Sequence, residues 1–387
     1  MKRFLMFILI VFLVSSCTSD APESFSYVPA DLSAVIVSDL HYMEAAGFEN
    51  PIAPLSEYMP ETLQTLLNQI IAEKPDVLIM TGDNTNSGKT GEFHALASFL
   101  ARIKKEGIQP VIIPGNHDMH GIPQEYAELI VPLLSPLSRD KETMSYTAEA
   151  GNVFFLAMDD SSFLKGQGGK LPDSTMKWLQ KQLEDANRKQ RIIIFLSHYS
   201  LLSGSTEHYR IQNEDLLSLL EKHGVQLCFS GHQHAQRHLV YNRLHELISS
   251  SLPSFPCLFG TLEIQGTDVQ YHTESLNFEQ YAPNSFAETA ASLQEAHTVS
   301  QSRLYHSLLA EKISDEHTLK QAEALLNTFF SSYAKGQISL TAEEIRNDGA
   351  YPALKEALKD TNYGPWIESV LETDRYDASS FAFAYGY

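Results

Sequence analysis

Five short apolar runs in this sequence each lead into residues that bind metals. Val35-Ile36-Val37 runs into Asp39-Leu40-His41, and Val77 to Met80 into Thr81-Gly82-Asp83-Asn84. Val111 to Ile113 is followed by Pro114-Gly115-Asn116-His117-Asp118, Ile192 to Leu196 by Ser197-His198, and Val225 to Phe229 by Ser230-Gly231-His232-Gln233-His234. In extended backbone, residues i and i+2 project to the same side. Asp39 with His41, and His232 with His234, can therefore each offer two donors in one direction. Glycines at 82, 115 and 231 let the backbone turn sharply beside a crowded site. Carboxylate, amide and imidazole together suit borderline metals such as Mn, Fe, Co or Zn. The candidate ligands Asp39, His41, Asp83, Asn116, His198, His232 and His234 are too many for one ion and fit two ions sharing a bridging carboxylate. Each piece is weak alone; their order after successive apolar runs argues against coincidence.

Such convergence needs a scaffold, and the intervening sequence supplies one. Thr62 to Glu73 has helical spacing at Leu63, Leu66, Leu67 and Ile70, and Phe93 to Lys105 at Phe93, Leu96, Leu100 and Ile103. Asp173 to Lys189 and Glu214 to His223 are helical in period, between the β-rich runs Val153 to Met158, Ile192 to Leu196 and Val225 to Phe229. Continuous β-branched runs alternating with helices imply strands buried on both faces, hence α/β layers. In open α/β sheets the carboxyl ends of the strands border the ligand crevice. From Leu239 to about Tyr271 the runs lie closer together, which predicts antiparallel strands completing a second sheet. Beyond residue 275 the period is mainly helical, with Thr341 to Glu344 as a capping box. The aromatic tail Ser379 to Tyr387 is expected to pack back onto a domain surface.

The series Asp39-x-His41, Gly82-Asp83, Gly115-Asn116-His117-Asp118, His198, Gly231-His232-x-His234 resembles the full set of motifs of the calcineurin-like metallophosphoesterases, over residues 31 to about 275. The resemblance implies a four-layer α/β/β/α sandwich with metals at the strand ends. It implies that Asp39, His41 and His234 bind one ion and Asn116, His198 and His232 the other, with Asp83 bridging. It makes His117 the catalytic histidine, with Asp118 holding its imidazole in place. Thr81 to Gly88 is similar to bacterial members acting on phosphodiesters. Asn86 stands where many phosphatases of the superfamily carry Asp and the purple acid type carries a Tyr ligand, which argues against that type. The expected reaction is hydrolysis of a phosphate ester, in the first place a diester, by a hydroxide held between two Mn, Fe or Zn ions.

The bulk numbers set limits. The chain has 387 residues with a formal net charge of -20, so duplex DNA, which basic patches bind by releasing counterions, is not an expected partner. Lys2 and Arg3 precede an apolar run from Phe4 to Val14, shorter than the ~20 residues of a spanning helix. With Ser15, Ser16 and Cys17 this reads as a signal peptide over residues 1–16, and Val14-Ser15-Ser16-Cys17 resembles the bacterial lipobox. The expected organisation is a lipidated Cys17 and tether at 17–30, a catalytic domain at 31–275 and a smaller helical domain at 276–387, anchored to a membrane outside the cytoplasm. Cys228 reads as a buried thiol. His120 and His208 lie in loops able to border the cleft. His94, His272, His297, His306 and His317 read as surface or core residues, Asp159 and Asp160 as turn or cap residues or else as supports behind a ligand, and Asn84 and Asn86 as supports for the metal loop or as phosphate contacts. Rival readings are a nucleotidase-type phosphomonoesterase, a lipid-phosphate hydrolase and a non-enzymatic envelope scaffold. The last would be expected to have lost a ligand or His117, and none is missing.

Overall fold

The apolar runs become strands because each is buried on both faces. The computed structural model describes residues 25–43, 54–163, 168–203 and 207–386, so the signal-peptide and lipidation readings lie outside the described residues. Along the chain run β1 (Ala30–Val37), β2 (Val77–Met80), β3 (Gln109–Ile112), β4 (Ser138–Arg139), β5 (Tyr146–Ala150), β6 (Val153–Ala157) and β7 (Ile192–Leu196). They are followed by β8 (Leu227–Ser230), β9 (Arg237–Tyr241), β10 (Leu244–Ile248), β11 (Leu258–Gly266), β12 (Asp268–Ser275) and β13 (Ser380–Ala384). One sheet has the order β13-β12-β11-β1-β2-β3, with β1, β2 and β3 parallel. The other has the order β4-β5-β6-β7-β8-β10-β9, with β6, β7 and β8 parallel.

Helices Met59–Glu73 and Thr90–Lys105 cross over between the parallel strands of the first sheet, and Asp173–Arg188 and Leu216–Lys222 between those of the second. A strand apolar on both faces must be covered on both. In the second sheet alternate residues accordingly enter different cores. Phe155, Ile194 and Phe229 join the main core with Ile79 and Val111 of the first sheet. Their neighbours Phe154, Phe195 and Cys228 join a second core with Leu179, Leu183, Leu216 and Leu220 of the outer helices. Leu66, Ile70, Phe93, Leu96 and Ile103 pack on the first sheet. The result is helix, sheet, sheet, helix, as expected for a four-layer sandwich. Burial of each of these Leu, Ile and Phe side chains contributes about 2 kcal/mol.

Three expectations are corrected. The strands between Leu239 and Tyr271 do not complete one sheet: β9 and β10 join the second, whereas β11 and β12 return to β1 in the first. The chain switches sheets at residues 249–257, beside the strand ends that carry the candidate ligands. Thr341 is no helix cap but lies inside Ile338–Asn347, its hydroxyl bonded back to the Gln337 carbonyl at 3.4 Å; a threonine hydroxyl can be satisfied in mid-helix in this way. The aromatic tail is not merely laid on a surface. It forms β13, antiparallel to β12, and Tyr385 donates its hydroxyl to the Ile193 carbonyl of the other sheet at 2.7 Å.

Between β12 and β13 a helical bundle builds its own core from Leu309, Leu326, Phe329, Ile345, Leu358 and Val370. Helix Phe286–Leu309 begins in the main core at Phe286 and Ala290 and ends in the bundle core at Tyr305 and Leu309. The chain then returns through helix Tyr363–Thr373 to β13. Among the described residues no helix is long and apolar enough to cross a membrane.

Candidate metal centre

Every sequence-predicted ligand emerges just after a strand, and most do so in a strained backbone. Asp39, His41, Asp83, His232 and His234 have φ of 50°, 45°, 49°, 67° and 52°. An L residue in that left-handed region costs roughly 1–2 kcal/mol, and such strain persists only where the surroundings over-determine it. Here neighbouring strand ends hold one another. Asp39 N–H donates to the Gly82 carbonyl at 3.1 Å, His41 N–H to Asp83 at 2.9 Å, and Gly231 N–H to His198 at 3.0 Å. Gly115 serves close approach instead: a Cβ there would collide with Asp83 and lie 2.8 Å from the His198 ring.

The side chains then fall into two overlapping groups. Asp39, His41, Asp83 and His234 each offer one donor atom within 4.8 Å of the others, and Asp83, His198 and His232 form a second such group. His41 Nε2 and His234 Nε2 approach to 2.9 Å. Around them lie Asp39 Oδ1, 3.4 Å from His234 Nε2, and Asp83 Oδ2, 3.7 Å from His41 Nε2. On the other side, Asp83 Oδ1 is 3.4 Å from His198 Nε2, which is 3.1 Å from Asn116 Oδ1. The two oxygens of one carboxylate therefore face different imidazole sets. All seven sequence-predicted ligands come together.

The surrounding hydrogen bonds decide which ring nitrogens are free. A carbonyl can only accept, so His198 Nδ1 donates to the Thr81 carbonyl at 2.9 Å, leaving Nε2 for a cation. His232 Nε2 donates to the His208 carbonyl at 2.9 Å, leaving Nδ1. Such outer partners fix the tautomer of metal-binding histidines. Asp39 is held by the Ser38 hydroxyl at 2.6 Å and the His232 N–H at 3.1 Å. Burial pushes His41 and His232 down to about 4, so both are neutral near pH 7 and able to act as ligands. Burial alone would also push His198 down. The Asp83 carboxylate, with Asp39 and Asp160 behind it, instead draws positive charge there and carries it up to about 10. Buried acids, neutral imidazoles and a demand for positive charge between them suit a pair of metal ions.

His117 borders this centre, its ring centroid 4.5 Å from that of His41. Its Nδ1 donates to the Asn86 carbonyl at 2.7 Å, which leaves Nε2 as the nitrogen able to give or take a proton. This corrects the role expected for Asp118. The fully buried Asp118 carboxylate does not hold the His117 ring, because its oxygens are taken by Asn84 N and Nδ2, Thr85 N and Oγ1, and Gly115 N. It ties the Asp83 loop to the Asn116 loop. Burial, with the Asp83 charge adding, pushes it up to about 6. Asn84 and Asn86 support the loop as expected. His120 packs against His117 with centroids 4.6 Å apart and ring planes tilted by 46°, whereas His208 reaches the site through its carbonyl. His94, His272, His306 and His317 are exposed.

Three braces stand behind the candidate ligands, and sequence reasoning missed two of them, Glu246 and Gln233. Asp160 accepts the backbone N–H groups of His198 and Tyr199 at 3.1 and 3.0 Å, so it positions a candidate ligand, the supporting role the sequence left open beside that of a cap; Asp159 holds a turn, at Ser161 and Ser162. Glu246 accepts from Ser200, Leu201, Leu202 and Ser230, joining the His198 and His232 loops. Gln233, between the two histidines, is gripped by Ser203 and Arg237. A signal existed for Asp160 and Glu246, since a carboxylate in or just after a buried strand needs a reason.

The motif profile of the calcineurin-like phosphoesterases matches residues 32–236. The chain is 30% identical over 190 residues to the glycerophosphodiester phosphodiesterase GpdQ of Enterobacter lignolyticus, covering 48% of this chain and 64% of that one. It is 29% identical to a probable cyclic nucleotide phosphodiesterase of Moraxella catarrhalis, over 46% of this chain and 66% of that one. The match thus spans a little under two thirds of these relatives. Among solved structures, a dimetal phosphatase from Danio rerio shares the fold with a TM-score of 0.52 at 13% identity, over 64% of this chain and 97% of that one. With more than half of its length matched and all the strand-end motifs in place, the chain belongs to the calcineurin-like phosphoesterase family.

Proposed function

We propose that this protein hydrolyses small phosphodiesters with two metal ions. Asp39, His41 and His234 would hold one, Asn116, His198 and His232 the other, and Asp83 both. The observation that carries this reading is Asp83, whose Oδ1 faces His198 and whose Oδ2 faces His41. Ions at these positions would supply Lewis acidity that activates water and neutralises phosphoryl oxygens. The donor set favours Mn, Fe or Zn. The chain's own residues do the rest. His117, outside both ligand groups and fixed by the Asn86 carbonyl, presents Nε2 to protonate the departing oxygen. Asp118, Asp160 and Glu246 keep the loops in register.

The diester preference rests on the relatives, which are named for glycerophosphodiesters and cyclic nucleotides. Mn-loaded protein is expected to cleave an aryl phosphodiester at least about tenfold faster, in kcat/KM, than the matching monoester, a difference of about 1.4 kcal/mol. Chelation should abolish both. Equal rates, or a monoester preference, would remove the diester assignment while leaving the metal chemistry.

A membrane location outside the cytoplasm is supported by the charged, apolar and small-residue order of the first 17 residues. Expressed in a bacterium with labelled palmitate, the protein should take up label and fractionate with membranes. Cys17→Ser should lose both properties. Label retained by that variant would place the lipid elsewhere and defeat the assignment.

A further inference from the structure

The metal-binding turn and the C-terminal bundle are joined by one chain of hydrogen bonds. Gln233 N–H closes a three-residue turn on the Gly231 carbonyl at 2.7 Å, with His232 at its centre. Such a turn with a positive φ at its centre is rare and strained, and His234 follows it in the same left-handed region. The Gln233 side chain supplies a grip. Its Oε1 accepts from Ser203 Oγ at 3.1 Å and from Arg237 Nη1 at 3.3 Å, and Arg237 Nη1 also donates to Ser203 Oγ at 2.7 Å. The guanidinium, which can only donate, fixes that atom as the amide oxygen.

Asp374 holds the guanidinium from the other side. Its Oδ1 accepts from Arg237 Nε at 3.0 Å and Nη2 at 2.5 Å, and the two side chains are only 16% and 9% exposed. Solvent and salt screen such a pair little. Asp374 sits at the end of helix Tyr363–Thr373, its N–H on the Val370 carbonyl. Arg237 opens β9, three residues after His234. The bundle has other attachments as well. Gln236 Nε2 donates to the Ala378 carbonyl at 3.0 Å, His238 Nδ1 to the Asp377 carbonyl at 3.0 Å, and β13 pairs with β12. Loss of the ion pair therefore loosens Gln233 without undocking the bundle.

We propose that the C-terminal bundle is a positioning element for the metal centre: Asp374, through Arg237, fixes Gln233 and with it the His232–His234 turn. The inference rests on the metal-centre reading given above. Outer partners of metal ligands typically govern affinity by 10- to 100-fold. Chelator-stripped full-length protein titrated with Mn2+ by calorimetry should show at least a tenfold weaker affinity in Asp374→Asn. Raised Mn2+ should restore most of the turnover. Arg237→Lys keeps the charge but not the fork and should fall between.

Lys355→Ala breaks the Lys355–Glu368 pair inside the bundle and should leave Mn2+ affinity unchanged. Gln233→Ala combined with Asp374→Asn should be no worse than the weaker-binding single variant. Unchanged affinity in Asp374→Asn and Arg237→Lys, equal weakening in Lys355→Ala, or additive losses in the double variant would each overturn the clamp. If Asp374→Asn does not fold, Arg237→Lys and its combination with Gln233→Ala carry the same comparison. Affinity is read without turnover, so a protein that binds Mn2+ but hydrolyses nothing defeats the phosphoesterase reading and still reports on the clamp.

Discussion

Asp83→Ala is expected to leave the protein with at most one bound ion and to cut kcat/KM for an aryl phosphodiester at least about a thousandfold, about 4 kcal/mol of transition-state stabilisation. No other candidate ligand should cost as much, because no other faces both groups. Its Oδ1 lies 3.4 Å from His198 Nε2 and accepts the His117 N–H at 2.8 Å, while Oδ2 lies 3.7 Å from His41 Nε2. Removing the carboxylate takes a donor from each group and the anchor from the His117 loop. Neutralisation of the phosphoryl oxygens from both sides needs both ions, so the losses compound. Metal content after dialysis, measured by mass spectrometry against protein concentration, checks this directly. Two tightly held ions in Asp83→Ala would show that the carboxylate is not shared. Asn116→Ala is the internal comparison, since Asn116 Oδ1 lies beside His198 Nε2, on one side of Asp83.

The sequence made the strands and the candidate ligands legible for one reason. A strand buried on both faces must be continuously apolar, so β2, β7 and β8 stand out, and a polar residue at the end of such a run is conspicuous. Asp39-Leu40-His41 and Gly231-His232-Gln233-His234 gain a second signal from i, i+2 spacing. The division of the candidate ligands into two groups was not in the spacing; it came from family resemblance. What stayed hidden was long-range polar bracing. Asp160 reaches His198 across 38 positions, Glu246 reaches Ser200 across 46, and Asp374 reaches Arg237 across 137. No local pattern encodes such pairs, because any buried carboxylate can meet any free amide that the fold brings near. Asp118 shows the opposite failure. A carboxylate beside a catalytic histidine invites the role of its orienter, but five backbone and side-chain donors reach it first. Phe381 and Phe383 in the tail did carry a period-2 signal for β13, masked by the helical segments before them.

His117→Ala is expected to keep both ions and lose about 10²- to 10⁴-fold in kcat, the usual span for a positioned acid or base. The geometry separates it from the ligands. Its backbone N–H, which the alanine variant retains, donates to Asp83, while the ring is held by the Asn86 carbonyl through Nδ1. Removing the ring therefore leaves the ligand groups standing and removes only the proton at Nε2. The leaving group tests this assignment. An alkoxide needs a proton as the bond to phosphorus breaks, whereas nitrophenolate leaves readily without one. The deficit should thus be large for an alkyl diester and small for a nitrophenyl diester, with KM changed little in either case. If instead Nε2 stabilises charge on a phosphoryl oxygen, the deficit should be the same for both leaving groups. Equal deficits would move His117 from proton donor to electrostatic stabiliser, and an undiminished kcat on the alkyl diester would remove it from the reaction altogether.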